Sequence, residues 1–530
     1  MAPSFIHPPM NPTSTGGPLA AMPLRVTALA AALALAGCVS LAPVHQTPVA
    51  PVDAQFAHAG QDDTGSALPA AADIPWKQFF VDPRLQQLIQ IALDNNRDLR
   101  IASLNIEKAQ AAYRIQRAER LPGVGLMGSG ERAPSPLTGG QASTYTVGLG
   151  ITAFELDFFG RVKNLSDAAL SAFLATEEAH RTAQISLVSA VANSYLTLQS
   201  LDEQLDLTRQ TLATREESQK LTQLQYKNGT ASALDASQAD SLVHAARATL
   251  AALTRQRAAA YNALVLLLGQ PMPPAADTTR EAMADGTSAA GMKTSPNGND
   301  GMMRHTHAKA DGTVGQQPVA MTAPPASTAS SELIALTELP AGLPSETLVR
   351  RPDIRAAEHQ LRAANANIGA ARAAFFPRIT LTGTAGVGST ELSALFNSGT
   401  FAWTLNPQLV LPIFDGGRNR ANLRVAEAEQ KIAVANYEKA IQTAFKEVSD
   451  SLANREGLLD QLDAQQALVR VENERLDMAN LRYKNGVSSY FDVLDAQRSA
   501  FAAQQELISV RMAQRQNLVE LYKVLGGGWQ

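Results

Sequence analysis

Cysteine is almost missing from this chain: Cys38 is the only one in 530 residues, so no disulfide can staple the fold and packing alone must hold it. Positive charge is not in excess either. A net charge of −4 and a pI near 6.1 leave no basic footprint for nucleic acid. Past the N-terminal leader there is no apolar run of about 18 residues, and with a mean hydropathy of −0.10 the chain has no membrane-spanning helix. Any membrane crossing must be made another way. Catalytic motifs are absent too: there is no Walker loop, no HExxH and no nucleophile elbow, and the eight histidines are scattered. Gly123-Val124-Gly125-Leu126-Met127-Gly128 fits GxGxxG, but it follows a helical pattern, the reverse of a dinucleotide site. Neither an enzyme nor a cofactor is expected.

The lone cysteine is placed where it has a use. Arg25 precedes an apolar run from Val26 to Ala36 that ends Leu35-Ala36-Gly37-Cys38, the pattern of a lipoprotein signal peptide over 1–37. Cys38 is then the acylated mature N-terminus. Val39 follows it where an aspartate would favour inner-membrane retention, so the address is the outer membrane. Residues 1–21 read as an over-long start, with Met22 a more ordinary one. From Val39 to about Ala72 the chain is rich in Pro, Ala and Gly and reads as an extended tether within a 38–83 segment.

What is abundant is repetition. Tyr226-Lys227-Asn228-Gly229 recurs as Tyr483-Lys484-Asn485-Gly486, 257 residues on, and the ladder Leu205, Leu212, Gln219 recurs as Leu462, Val469, Leu476. Asp98 to Pro122 matches Asp353 to Pro377, 255 residues on. The chain is a tandem duplication, with repeats over 84–270 and 343–530. Each repeat opens on a helical pattern, the first from Arg84 to Arg120, and Pro122 ends it. Each closes on two very long helices around the Tyr-Lys-Asn-Gly turn. Arg161 to Asn228 contains no Gly or Pro, and Arg418 to Asn485 only Gly457, so each run reaches roughly 100 Å if helical. Apolar stripes on more than one face suit helices with neighbours on both sides.

Between the helices the period changes to two. Tyr145, Val147, Leu149, Ile151 and Ala153 alternate with polar or small residues, as do Ile379, Leu381, Ala385 and Val387, then Phe401, Trp403, Leu405, Leu409 and Leu411; Val124 and Leu126 begin a fourth run. The lengths and aromatic ends fit transmembrane β-strands, joined by loops over 131–143 and 388–400. Four strands cannot close a barrel in lipid, because every unpaired edge group would face hydrocarbon. Copies of the chain must therefore pool their strands. Two copies give eight and three give twelve.

Taken in order, the lipobox at Cys38, Phe154 to Arg161, Leu343-Pro344-Ser345 through Arg350-Arg351-Pro352-Asp353-Ile354, Leu411 to Arg418 and Tyr483 to Asp495 resemble the outer membrane factors. These are the TolC-like channels of tripartite efflux pumps, and the likeness is to the lipoprotein branch that partners RND transporters. The resemblance implies a mainly α fold with a small membrane β part: a homotrimer whose shared twelve-stranded barrel continues into a twelve-helix periplasmic tunnel. It implies three kinds of partner: outer membrane lipid, a periplasmic adaptor and an inner-membrane RND transporter. The function implied is passive conduction of exported small molecules from the periplasm outward.

The same resemblance makes the two turns the periplasmic tips. Lys227, Asn228, Gly229, Lys484, Asn485, Gly486, Val487 and Ser488 are then adaptor contacts. Asp492 and Asp495 stand where the family has its constricting aspartates, which in a trimer form stacked carboxylate rings that favour cations. One of them can instead cap the outgoing helix. Tyr483 is implied as part of the latch, although Ser488 replaces an arginine of the best-known member. The first repeat has Asp235 but Gln238 at the second place, so the second hairpin is expected to carry the gate.

The segment over 271–342 is Gly-, Ala-, Ser-, Thr- and Pro-rich and reads as a disordered insertion. Met302, Met303, His305 and His307 within it are ligand types that copper or silver prefers, but in such a loop they read as incidental, and no metal site is expected. Two other functional classes fit parts of the pattern. One is a channel for type I protein secretion; the other is a lipidated coiled-coil spacer without a pore, which has no need of the alternating strands.

Overall fold

A computed structural model describes residues 40–53, 56, 71–134, 140–274 and 345–529. Cys38, the leader, and Met302, Met303, His305 and His307 lie outside the described residues. The first repeat runs α1 (Pro83–Asn95), α2 (Arg97–Ala118), β1 (Val124–Pro134), β2 (Gln141–Leu156), α3 (Arg161–Lys227) and α4 (Ala233–Leu268). The second runs α5 (Pro352–Ala373), β3 (Arg378–Ser389), β4 (Phe401–Val410), α6 (Arg418–Lys484) and α7 (Tyr490–Val524), entered through a short 3-10 turn, Ser345–Arg350. Contacts divide the chain into two units, one of Met1–Pro51, Ser103–Ala179 and Asp353–Ile441, the other of Val52–Ala102, His180–Pro352 and Gln442–Gln530.

The first unit holds the sheet, whose order is β1-β2-β3-β4 with every pair antiparallel. Residues opposite one another share a face, so the register sorts the side chains. One face carries the rows Val124, Ile151, Gly383 and Leu405; Leu126, Leu149, Ala385 and Trp403; and Val147, Val387 and Phe401. The other carries Thr384 beside Thr404, Thr382 beside Asn406, and Thr380 beside Gln408. One face is apolar and the other polar. The register slips by one residue between Ile151 and Phe154, where Ala153 has a φ of 50° and its N–H donates to Thr382 Oγ1 at 3.1 Å. This bulge returns Phe154 and Leu156 to the apolar face and puts Glu155 on the polar one. GxGxxG lies at the start of β1, not in a nucleotide loop.

Two expectations for this unit change. The described ends of the 131–143 loop are strand, because Glu131 to Pro134 pair with Thr144 to Gln141 and carry the hairpin on. Residues 40–53 are extended, as composition predicts, but they are seated rather than free. Ser40 Oγ donates to Asn164 Oδ1 at 2.7 Å, Arg372 donates to the Leu41 carbonyl at 3.2 Å, and Asn365 meets His45 at 2.9 Å. Gly369 makes the seat possible, since a Cβ there would stand 2.8 Å from that of Ala42.

The second unit packs around Tyr522, whose ring stacks on Phe79 at 4.0 Å and whose hydroxyl donates to the Ile74 carbonyl at 2.6 Å. Leu85, Leu88 and Ile89 of α1 are buried in the same unit, each contributing about 1.5–3 kcal/mol. The single helix expected over Arg84 to Arg120 breaks at Asn96, which is extended (φ −61°, ψ 133°). Asn96 Oδ1 accepts from Leu99 N–H at 2.9 Å and so caps α2, while its Nδ2 donates to the last carbonyls of α4 at Leu267, 2.9 Å away. The duplication preserves this junction with a different residue. Arg351 occupies the place of Asn96 and donates to Val524, the counterpart of Leu267, at 2.8 Å, while pairing with Glu447 at 2.8 Å.

Candidate functional site

Both long helices end in the same way because the sequence dictates it. Gly229 (φ 77°) and Gly486 (φ 70°) adopt the left-handed conformation that only glycine takes without strain. Gly229 N–H reaches the Tyr226 carbonyl at 3.0 Å and Thr230 N–H the Gln225 carbonyl at 2.9 Å; Gly486 and Val487 reach Tyr483 and Arg482 at 2.9 Å each. These are paired Schellman closures. The outgoing helices start alike. Asp235 accepts from the Ser232 N–H at 3.0 Å and hydroxyl at 2.6 Å, and Asp492 from those of Ser489 at 3.2 Å each. Asp492 thus works as a helix cap within its own chain, with Ser489 as the N-cap residue.

Asp495 is held differently. Its carboxylate pairs with Arg475 across the hairpin, and Arg475 also reaches Glu472 at 3.2 Å and Ser499 Oγ at 3.3 Å. Those hydrogen bonds, from Asp495 first, raise the Arg475 pKa further. The first hairpin lacks a pair at the equivalent positions, although Arg247 and Glu216 pair across it elsewhere at 2.7 Å. Ser218 stands in place of Arg475 and Gln238 in place of Asp495, and Gln238 Oε1 is buried without a partner. Its acid is instead Asp240, held below the usual carboxylate range by hydrogen bonds from Gln219 at 2.7 Å and Gln223 at 3.0 Å.

Tyr483 joins the two hairpins within one chain. Its hydroxyl donates to Gln225 Oε1 at 3.4 Å and its ring lies 5.2 Å from that of Tyr490. Ser488 Oγ and Tyr490 Oη are buried nearby with no partner of their own. Behind them Arg215, 5 % exposed, lies 5.1 Å over the Phe501 ring and donates to the Leu242 carbonyl at 3.2 Å. Burial and the neighbouring Arg498 lower its pKa. Lys227, Asn228, Gly229, Lys484, Asn485, Gly486 and Val487 are all exposed at the turns.

Arg475, Tyr490, Gln225 and Arg215 were not singled out by sequence. Arg475 had a signal: it lies 11 residues before Gly486 and Asp495 nine after, so a hairpin places them opposite each other. Along the arms, the ladder Leu462, Val469, Leu476 and Tyr483 is half-buried within the chain. A second apolar set, including Val425, Ile432, Val471, Met478 and Leu481, is 55–62 % exposed.

Residues 88–270 and 343–527 match the family model described as outer membrane efflux protein. The chain is 45% identical over 505 residues to a probable efflux pump outer membrane protein, TtgC, of Pseudomonas putida, covering 94% of each. It is 44% identical over 510 residues to outer membrane protein OprJ of Pseudomonas aeruginosa, covering 95% of this chain and 96% of that one. It also resembles the open state of the Neisseria gonorrhoeae MtrE outer membrane channel, with a TM-score of 0.76 at 36% identity over 93% of this chain and 99% of that one.

Proposed function

This chain belongs to the outer membrane efflux protein family, and from that premise we propose that it is the outer membrane channel of a tripartite RND-type efflux pump, passing exported small molecules outward. One observation carries the reading. The four-stranded sheet has an apolar face, a polar face and two unpaired edges, β1 and β4. Unpaired edges in hydrocarbon are excluded by their desolvation, several kcal/mol per group, so the edges pair with those of other copies. Three copies make a twelve-stranded barrel with the polar face lining the lumen. The exposed second apolar set on α6 gives the second hairpin a surface for its neighbours, as a ring of helices requires. An acyl group on Cys38 fixes the protein to the outer membrane, and the seated strap that follows gives that anchor a defined place.

The second hairpin is the gate in this reading. Asp492 caps its helix and contributes charge only secondarily. Asp495 carries the constricting charge, partly balanced by Arg475, and Tyr483 latches the hairpin to its neighbour in the chain. The exposed turns meet the adaptor, which couples the channel to the inner-membrane transporter. The test is conduction and complementation together. Purified protein should conduct in planar bilayers, and expression with its own adaptor and transporter should restore drug tolerance to a strain lacking outer membrane factors. A protein that neither conducts nor restores tolerance overturns the reading.

A further inference from the structure

At the base of the sheet, on the side where β2 and β4 hand over to the long helices, lies a cavity of about 290 Å³. We propose that it binds a small amphipathic anion, a carboxylate, sulfonate or phosphate on an apolar body of about two rings, with Arg418 holding the charge. The duplication itself exposes the feature that points there. Arg161 and Arg418 are equivalent positions, each the first residue of a long helix. Arg161 has a carboxylate: its Nε and Nη2 donate to Glu155 at 2.8 and 2.7 Å, and Arg378 donates to the same carboxylate at 2.7 Å. The equivalent of Glu155 in the second repeat is Pro412. Arg418 has therefore lost its anion, and its side chain makes no ion pair among the described residues.

Among the described residues no other acid comes within ion-pairing distance of it, and Asp415 acts on it only at longer range. Asp415, close enough for Arg418 to help lower its pKa, is already engaged: the Gly417 and Asn419 N–H groups each donate to it at 2.8 Å. Both arginines line the cavity, and of the two only Arg418 has its guanidinium donors free of a carboxylate contact and able to meet one from outside. The apolar part of the lining fits the body of such a molecule. Phe159 and Phe376 stack at 4.7 Å, and Pro412 stands in the wall where the counterpart of Glu155 would have repelled an anion; Asp157, the other carboxylate of the wall, accepts from the Lys163 N–H at 2.7 Å. Glu155 and Arg378 belong to the polar face of the sheet, so the cavity sits on that face. Its volume is at the lower edge for small-molecule sites, which limits the occupant to a compact molecule.

The site goes beyond the channel reading and uses it only to say that a solute in the lumen can arrive there. In planar bilayers containing the full lipidated protein, 1-naphthalenesulfonate should interrupt the current, and 1-naphthylmethylammonium should not. Arg418→Gln should weaken the block about tenfold, the equivalent of losing one charge-assisted bond, and Arg418→Lys should restore part of it. Block of equal strength in wild type and Arg418→Gln, or no block of a conducting channel at millimolar sulfonate, overturns the proposal. If nothing conducts, the channel reading fails and the site is still tested: equilibrium dialysis of nanodisc-embedded protein should show sulfonate binding that Arg418→Gln loses, and equal binding refutes it. The source of the anion is separated by lipid composition. Sulfonate binding that phosphatidylglycerol suppresses assigns the cavity to a lipid phosphate, and binding indifferent to it assigns the cavity to a solute of the lumen.

Discussion

Placing an arginine at Leu405 tests the face assignment directly. Leu405 is on the apolar face in a row with Val124, Ile151 and Gly383, near the middle of β4, and is 57% exposed in the single chain. Arginine on the lipid face near the bilayer midplane costs about 2–4 kcal/mol. Every copy carries the substitution, so a three-copy barrel loses roughly 6–12 kcal/mol. Asn406 is the control: one residue along, it points to the polar face opposite Thr382, where Asn406→Arg should change stability by no more than about 0.5 kcal/mol. The assay is urea unfolding in lipid vesicles, followed by the heat-modifiable mobility of the folded oligomer. Equal losses for Leu405→Arg and Asn406→Arg, or a larger loss for Asn406→Arg, refute the reasoning, because a register read one residue out exchanges the two faces.

Other consequences are as accessible. Arg475→Ala unmasks Asp495 and should raise the cation-to-anion permeability ratio read from reversal potentials, while Asp495→Ala should lower it; ratios unchanged in both remove the pair from the conduction path. Arg351→Ala strips the Val524 carbonyl and Glu447 of a buried partner and should cost about 2–4 kcal/mol, against about 1–2 for its counterpart Asn96→Ala, measured by denaturant midpoint. Gly457 lies inside α6, and a methyl added there would meet nothing within 4 Å, so Gly457→Ala should stabilise the helix by about 0.5–1 kcal/mol; a loss would place a neighbouring chain against it. Burial and Arg362 hold the His359 pKa below its usual value, although Glu358 and Glu178 oppose them. The unfolded chain then takes up the proton first, so stability is full above about pH 6.5 and declines as pH falls below it. His359→Gln should flatten that decline in thermal midpoint, and an unchanged slope would assign the acid sensitivity elsewhere.

Much of the fold was legible because it rests on periodicity. Strands with a period of two and helices free of Gly and Pro declare themselves, and the repeated Asn-Gly turn fixes where the hairpins reverse. The sequence was silent where one side chain redirects the backbone. Asn96 sits within an unbroken helical pattern, and nothing local says that its amide will cap α2 and reach Leu267 171 residues away. The bulge at Ala153 is equally hidden, since alanine gives no sign of a positive φ. At the hairpin the carboxylates were legible but their engagements were not. Asp492 sits at the third position of a helix that Ser489 opens, and its capping role is local; the pairing of Asp495 depends on which residue of the opposite arm stands level with it. The strap over 40–53 looked free because its partners, Asn164, Asn365 and Arg372, lie far along the chain.

The sharing of strands between chains is tested most directly by cross-linking the two sheet edges. One chain would carry Ser129→Cys on β1 and another Thr404→Cys on β4, co-expressed and treated with a short bis-maleimide, with protein carrying neither substitution as the control for Cys38. Cross-linked pairs formed only when both variants are present, and from folded, membrane-inserted protein, are the predicted result. Folded protein in the membrane whose edge cysteines never join between chains would contradict it.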